Sequence, residues 1–525
     1  VANHQKPGSP VANTKEKTTM RVLFVSAEMD PFAKTGGLGD VVGSLPRALR
    51  EKGVDARVVL PLYGPVKSKF QDRLEYLFSF QLYRRNGTAE VYVHYTEQDG
   101  VPVYFLESWP FFSGGDYYYT DLDWDRPRFI FFSQAAMALA GELGQGRHKG
   151  EKWFPDVLHA HDWHTALVPF LLYESRFSPV WENVASVLTI HNMAYQGWEA
   201  GGWLFDAGVS GRHNPHLVYQ DKTDNLLGIG IAYAHKLNTV SPRHATELHY
   251  PRFGEGLQGL IWVRDSDFSG ILNGLDMERV NPASDPHIPY CYDVMNFRAE
   301  RPRNKAALQG ELALEQDPNV PLIGIVSRMV EQKGMDFAAP GLRRLLAETN
   351  AQLVIVGKGK AEIEQQLRTL EWDFGWKARI IIDYRSDLAQ RIYAGADLLL
   401  VPSRYEPCGL TQMQAMRYGA LPVVRETGGL ADTVVNYDNG PADSGTGFVF
   451  LFEEPDAVRL TLHWAIETFR YRREVFARMQ ERAMRIDWSW DRPGERYIAL
   501  YEAALDKARS SGPLHLEDMG RGRLR

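Results

Sequence analysis

The sequence predicts an α/β protein made of two open, mostly parallel sheets of Rossmann-like type. Three observations carry this reading: short β-branched runs that are apolar almost without interruption, amphipathic helical stretches between them, and a break in that rhythm halfway along the chain. Strands buried on both faces read as continuous apolar runs, and strand–helix alternation builds right-handed parallel units. The 525 residues also exceed what one hydrophobic core holds.

Taken in order, the strand candidates of the first half are 21–28 (RVLFVSAE), 56–62, 101–107, 156–162, 186–192 and 236–241. Those of the second half are 322–327, 352–357, 378–383, 397–403 and 421–426. Between about 242 and 320 the rhythm stops and a polar, proline-containing stretch (NPASDPHIPYCYD) intervenes, which sets a hinge near residue 266. The division is then 20–265 for the first domain, 266–485 for the second and 486–508 for a C-terminal helical segment, with tails at 1–19 and 509–525. A (β/α)₈ barrel is the competing architecture, disfavoured by the interruption and the unequal loops. The stretch 1–19 is polar, lacks the apolar core of a secretory signal and is expected to be disordered; Met20 stands directly before the first strand.

Lys and Arg number 59 against 66 Asp and Glu, a net charge of −7. That argues against a nucleic-acid binder and requires local cations for any anionic substrate. The two cysteines, Cys291 and Cys408, support neither a disulfide framework nor a thiolate zinc site, which points to a reducing cytoplasm. No apolar run approaches ~18 residues, so no membrane span is expected. Oligomeric state has no signature in the sequence.

Ligands of open α/β sheets bind beyond the carboxyl ends of the strands, so the residues after each strand are the candidates. FAKTGGLGD (32–40) follows the first strand. Gly36, Gly37 and Gly39 let backbone approach a ligand, the next helix offers N–H groups to an anion, and Lys34 adds charge. A tight turn with a solvated lysine is the plainer alternative, and the pattern is neither GxGxxG nor a Walker A loop. HAHDWH (159–164) sends His159 and His161 to one face. A hydrogen-bonding cluster with Asp162 toward a cleft fits better there than a metal site, since no helical carboxylate–histidine spacing follows. TIHNMAYQG (189–197) offers His191, Asn192, Tyr195 and Gln196 as sugar ligands, a core histidine being the plainer reading of His191 alone. In SRMVEQKG (327–334), Arg328 and Lys333 bracket a loop with two cations suited to a pyrophosphate. SRYEPCGLTQ (403–412) sets Glu406 before a helix that begins around Leu410, where a carboxylate bonds sugar hydroxyls and a helix N-terminus takes phosphate. TGGL (427–430) repeats the glycine-rich theme.

KTGGLGD, HAHDWH, TIHNMAYQG, ILNGLD (271–276), SRMVEQKG, PSRYEPCGL and RETGGLADTV (425–434), in this order, resemble the bacterial glycogen synthases and plant starch synthases. The resemblance runs from about residue 20 to about 503, and IDWSWDRPGERYIALY (486–501) looks like that family's end segment. It implies the GT-B architecture: two Rossmann-like domains facing across a deep cleft, acceptor side first and donor side second, with the C-terminal helices crossing back onto the first domain. It also implies retaining transfer of glucose from a nucleotide sugar, ADP-glucose before UDP-glucose, to the 4-hydroxyl of an α-1,4-glucan, with no metal or other cofactor.

By the same resemblance Lys34, Gly36 and Gly37 approach the donor's phosphates and glucose, while Asp162 and His191 hold the transferred glucose. Arg328 and Lys333 bind the diphosphate together with the amides of Gly409, Leu410 and Thr411. Glu406 contacts the glucose near Cys408, Tyr384 packs on the base, Asn273 lies near the sugar, and Tyr195 and Gln196 serve the acceptor side. Lys34, Asp162, His191, Arg328, Lys333 and Glu406 form the catalytic set. Gln414 stands eight residues after Glu406, where many related retaining transferases carry a second glutamate that the synthases commonly lack. Lys358 in VGKG replaces a residue that is usually small. The rival readings are a retaining transferase with another acceptor and a glucan-binding protein without activity. The intact set Lys34, His191, Arg328, Lys333 and Glu406 argues against the latter.

Overall fold

The computed structural model describes residues 19–112, 121–438 and 443–511. Of the two expected tails, residues 1–18 and 512–525 lie outside the described residues.

The first sheet has nine strands: β1 (Arg21–Val25), β2 (Asp55–Pro61), β3 (Glu75–Arg84), β4 (Gly87–Gln98), β5 (Val101–Glu107), β6 (Val157–His161), β7 (Ala185–Ile190), β8 (Lys236–Thr239) and β9 (Phe268–Gly270). Their order is β3-β4-β5-β2-β1-β6-β7-β8-β9. The second sheet has six: β10 (Leu322–Val326), β11 (Gln352–Gly357), β12 (Ala378–Ile382), β13 (Leu398–Val401), β14 (Leu421–Arg425) and β15 (Phe448–Phe450), in the order β12-β11-β10-β13-β14-β15. Two open sheets, each with its own core, replace the barrel alternative.

Among the described residues all strand pairings are parallel except β3–β4 and β4–β5. This hairpin and the short β9 and β15 are absent from the eleven strand candidates. In the hairpin only alternate residues such as Phe78, Phe80, Val91 and Val93 are buried, so its strands lack the continuous apolar signature of the central ones. β9 pairs with β8 through Leu237 and Phe268, so the first sheet extends to Gly270 and the chain passes to the second domain after it, past residue 265. Ile271 belongs to the first core and Leu275 to the second.

Strand order reverses between β1 and β6 in the first sheet and between β10 and β13 in the second. These are the topological switch points, where the loops leaving adjacent strands diverge and open a crevice.

The last helix, Asp491–Ser510, packs on the first domain, not on the second that precedes it. Tyr497, Tyr501, Ala504 and Ala508 are buried in the first core, and the Arg176 guanidinium donates to the Ala508 carbonyl at 2.8 Å. The two crossing segments touch where the Leu275 N–H donates to the Trp488 carbonyl at 2.6 Å. The domains also meet through two short helices, Pro242–Glu247 and Gly428–Thr433, that cap each other. Glu247 accepts the Gly428 N–H at 3.0 Å, and Asp432 accepts the Arg243 N–H at 2.8 Å. Among the described residues no helix is long and apolar enough to cross a membrane.

Candidate active site

The loops that leave the four strands flanking the two switch points carry most of the residues singled out in the sequence. β1 stops at Val25, three residues short of the predicted strand, so Glu28 lies in the loop. Its carboxylate accepts the Thr35 and Gly36 N–H groups at 2.7 and 3.1 Å and the Thr35 hydroxyl at 3.2 Å. A Cβ added to Gly36 or Gly37 would meet no atom within 4 Å, whereas at Gly39 it would press on Lys34 and Glu28. The first two glycines are thus not required by the protein's own packing; they leave space beside the loop. Lys34 donates to Asp40 at 2.5 Å and lies 3.6 Å from Asp30, which also holds Arg279 of the second domain. Burial works against the Lys34 charge, but Asp40 and then Asp30 outweigh it and hold the ammonium above its usual range.

At the end of β6, Asp162 has a left-handed backbone (φ 54), a strained conformation for a residue with a side chain. It accepts the His191 and Asn192 N–H groups at 2.6 and 3.2 Å, tying the loop after β7 to the loop after β6. Burial pushes its carboxyl up to about 7; the two N–H groups oppose this and the Glu28 charge adds to it. Burial likewise lowers His191 to about 3, so the imidazole is neutral.

His159 and His161 do share a face, with ring centroids 4.1 Å apart, but it is the core face. His161 bonds His191 at 3.0 Å, and His159 bonds Thr189 at 2.6 Å and Tyr501 at 2.9 Å. Tyr195 is 39% exposed. Gln196 is turned inward: its amide N–H groups donate to the Met193 and Glu255 carbonyls at 3.1 and 2.8 Å and its oxygen accepts from Asn225 at 2.7 Å. Its amide organises the loop, meeting protein groups with both its oxygen and its nitrogen.

In the second domain Arg328 is exposed and Lys333 half-buried, on the loop between β10 and the helix Met335–Glu348. Lys333 donates to Glu406 at 2.6 Å, joining the loops after β10 and β13; Ser403 donates to the same carboxylate oxygen at 2.8 Å. The helix Thr411–Arg417 begins after Leu410 without a side-chain cap. Burial pushes the Cys408 thiol up to about 12, with the neighbouring Asn273 working in the opposite direction. Gly428 has φ 42, and a Cβ there would stand 2.0 Å from the Glu406 carbonyl oxygen; at Gly429 it would stand 1.9 Å from that of Cys408. The TGGL turn is therefore glycine because it lies directly on the backbone of the EPCG loop. Tyr384, after the edge strand β12, offers its ring to solvent at 76% exposure.

Sequence reasoning missed Glu28, Asp40, Ser403 and Glu247. A strand boundary drawn at Val25 would have exposed Glu28; the other three have no signal outside the fold.

Two open, mostly parallel sheets with cations and carboxylates at both switch points, and a glycine loop with open space beside it at the first, define a glycosyltransferase of GT-B architecture. The profile described as "Starch synthase catalytic domain" matches residues 21–263, and that of "Glycosyl transferases group 1" matches 320–462. The glycogen synthase of Streptococcus agalactiae is 40% identical over 92% of this chain and 99% of its own length; glycogen synthase 1 of Synechocystis is 37% identical over 95% and 98%. The chain belongs to the glycogen synthase and starch synthase family of glycosyltransferases. The catalytic domain of starch synthase IV from Arabidopsis thaliana, solved with ADP and acarbose, superposes with a TM-score of 0.84 at 32% identity, covering 93% of this chain and all of that one. A sucrose-phosphate synthase from Thermosynechococcus elongatus (TM-score 0.57, 16% identity) shares the fold alone.

Proposed function

We propose that the protein transfers glucose from ADP-glucose to the non-reducing 4-hydroxyl of an α-1,4-glucan with retention of configuration, in the cytoplasm, as a step of glycogen synthesis. The observation that carries this reading is the pair of half-sites at the two switch points. The first domain supplies Lys34 beside the open glycines Gly36 and Gly37; the second supplies Arg328 and the Lys333–Glu406 pair. The relatives named glycogen synthase support the reaction, and the ADP bound to the Arabidopsis enzyme supports the donor.

In this reading the donor's diphosphate draws Lys333 away from Glu406, and Glu406 turns to the glucose hydroxyls. Lys34, Arg328 and Lys333 stabilise the charge that develops on the leaving diphosphate, a preorganised contribution of a few kcal/mol per donor. The amides of Gly409, Leu410 and Thr411 add to it. Asp162 is a poor nucleophile for a double displacement, because it braces two main-chain N–H groups. A front-face route follows: the anomeric bond ionises, the acceptor's 4-hydroxyl enters from the same side, and the leaving phosphate oxygen takes its proton. Asp162 and the main chain near His191 favour the positive sugar. Tyr384 stacks on the base once the cleft closes, and Asn273, Cys408 and Tyr195 line the sugar region.

The test is glucose incorporation into glycogen from ADP-glucose and UDP-glucose in parallel, with and without EDTA. Incorporation from ADP-glucose that persists in EDTA is expected. Incorporation only from UDP-glucose, or its loss in EDTA, would overturn the donor or the metal-free assignment respectively.

A further inference from the structure

Glu28 stands outside the set assigned so far, yet it is 3% exposed and at the centre of the first half-site. One of its oxygens accepts two consecutive main-chain N–H groups, those of Thr35 and Gly36, and the other accepts the Thr35 hydroxyl. A Cβ on Gly39 would come within 3.1 Å of the same carboxylate, so the loop it holds also encloses it. These bonds fix the segment that carries Lys34 and the two open glycines. Directly after the neighbouring strand β6, which pairs with β1, Asp162 does the same for the loop at His191 and Asn192.

We propose that Glu28 is a positioning residue for the donor, its carboxylate holding Thr35 and Gly36 in the shape that receives the diphosphate, as one of a pair of loop braces with Asp162. The proposal rests on the nucleotide-sugar reading of the site and adds a residue to it. The charged and titratable groups facing Glu28 are Asp40 on the helix Gly37–Glu51, Lys34 on the loop itself, and Asp162 with the neutral His191 beyond it. Burial pushes the Glu28 carboxyl up to about 7, against the pull of the Thr35 and Gly36 N–H groups. Protonation of Glu28 takes away the charge that strengthens the two N–H bonds, so the brace weakens as pH falls.

Two variants test this in the full-length enzyme, with donor kinetics at saturating glycogen between pH 5.5 and 8.5. Glu28→Gln keeps an amide oxygen for the two N–H groups and turns its NH₂ to the Thr35 oxygen, but carries no charge. Its kcat/KM for ADP-glucose is expected to hold to lower pH, the acid limb moving down by about half a unit or more, because Asp162 no longer faces a second carboxylate. Glu28→Ala removes the brace and is expected to raise donor KM about tenfold at pH 8, as loss of charge-assisted hydrogen bonds does. An unmoved acid limb in Glu28→Gln, or wild-type donor KM in Glu28→Ala, would overturn the proposal; if Glu28→Ala does not fold, Glu28→Gln decides. Calorimetric titration with ADP separates the two readings. A wild-type enzyme that binds ADP but transfers no glucose defeats the function and leaves the brace to be judged by ADP affinity in Glu28→Ala. Unchanged affinity there defeats the brace.

Discussion

The Lys333–Glu406 pair joins two loops whose strands flank the switch point, with Glu406 buried and Lys333 half-buried. Lys333→Gln removes a cation from the proposed diphosphate site and leaves the Glu406 carboxylate with Ser403 and no opposing charge. Turnover is expected to fall at least about 100-fold, with glucan affinity preserved. Urea denaturation should show a loss of about 3 kcal/mol that the double variant Lys333→Gln/Glu406→Gln largely restores, without restoring turnover. The two braces behave differently. Glu28 and Asp162 are both held near 7, above the ordinary 4.5 and 3.8. The folded state therefore binds these protons more tightly than the unfolded chain, and the stability that follows is complete below about pH 4 and lost as pH rises through 7. Asp162→Asn should flatten that loss, so that its unfolding free energy falls less than the wild type's between pH 5 and 8, by about 1–3 kcal/mol, read by urea denaturation. At this scale the sequence was informative where chemistry and strand ends coincide: Lys34, Asp162, Arg328, Lys333 and Glu406 all follow strands of the switch points. It left the orientation of Gln196 open, because a polar side chain after a strand does not reveal which way it turns. It hid Glu28, because an apolar run does not mark where pairing stops.

Among the elements, the central parallel strands were legible as apolar runs, whereas the β3–β4 hairpin, covered on one face, was not. The glycine loops were legible as patterns, but their reasons separate only in three dimensions. Gly428 and Gly429 are required by backbone contact with the Glu406–Cys408 segment, and Gly36 and Gly37 by nothing in the protein. Gly429→Ala is therefore expected to cost about 2–4 kcal/mol, since main chain cannot yield as a side chain can, and to displace the EPCG loop. Gly37→Ala should change the thermal midpoint little and weaken ADP binding. Thermal melts with and without ADP check both halves of the contrast.

For the molecule as a whole, the Glu247–Gly428 and Asp432–Arg243 caps tie the domains beside the cleft. Glu247→Ala leaves the Gly428 N–H and the Thr427 hydroxyl without their acceptor in a buried contact. A looser contact admits water, so the ratio of donor hydrolysis to transfer, read as free glucose released from ADP-glucose, should rise. The two-domain division was legible from the pause in the strand rhythm. The docking of the last helix was not legible from pattern, because an amphipathic face announces that it is covered and not by what. That docking has a consequence for how the protein is made. Tyr497 and Tyr501 complete a core whose other residues begin at Val22, so the domain that leaves the ribosome first is finished last. Until the helix Asp491–Ser510 is synthesised that domain carries an uncovered apolar seam, while the six described strands of the second are already in place.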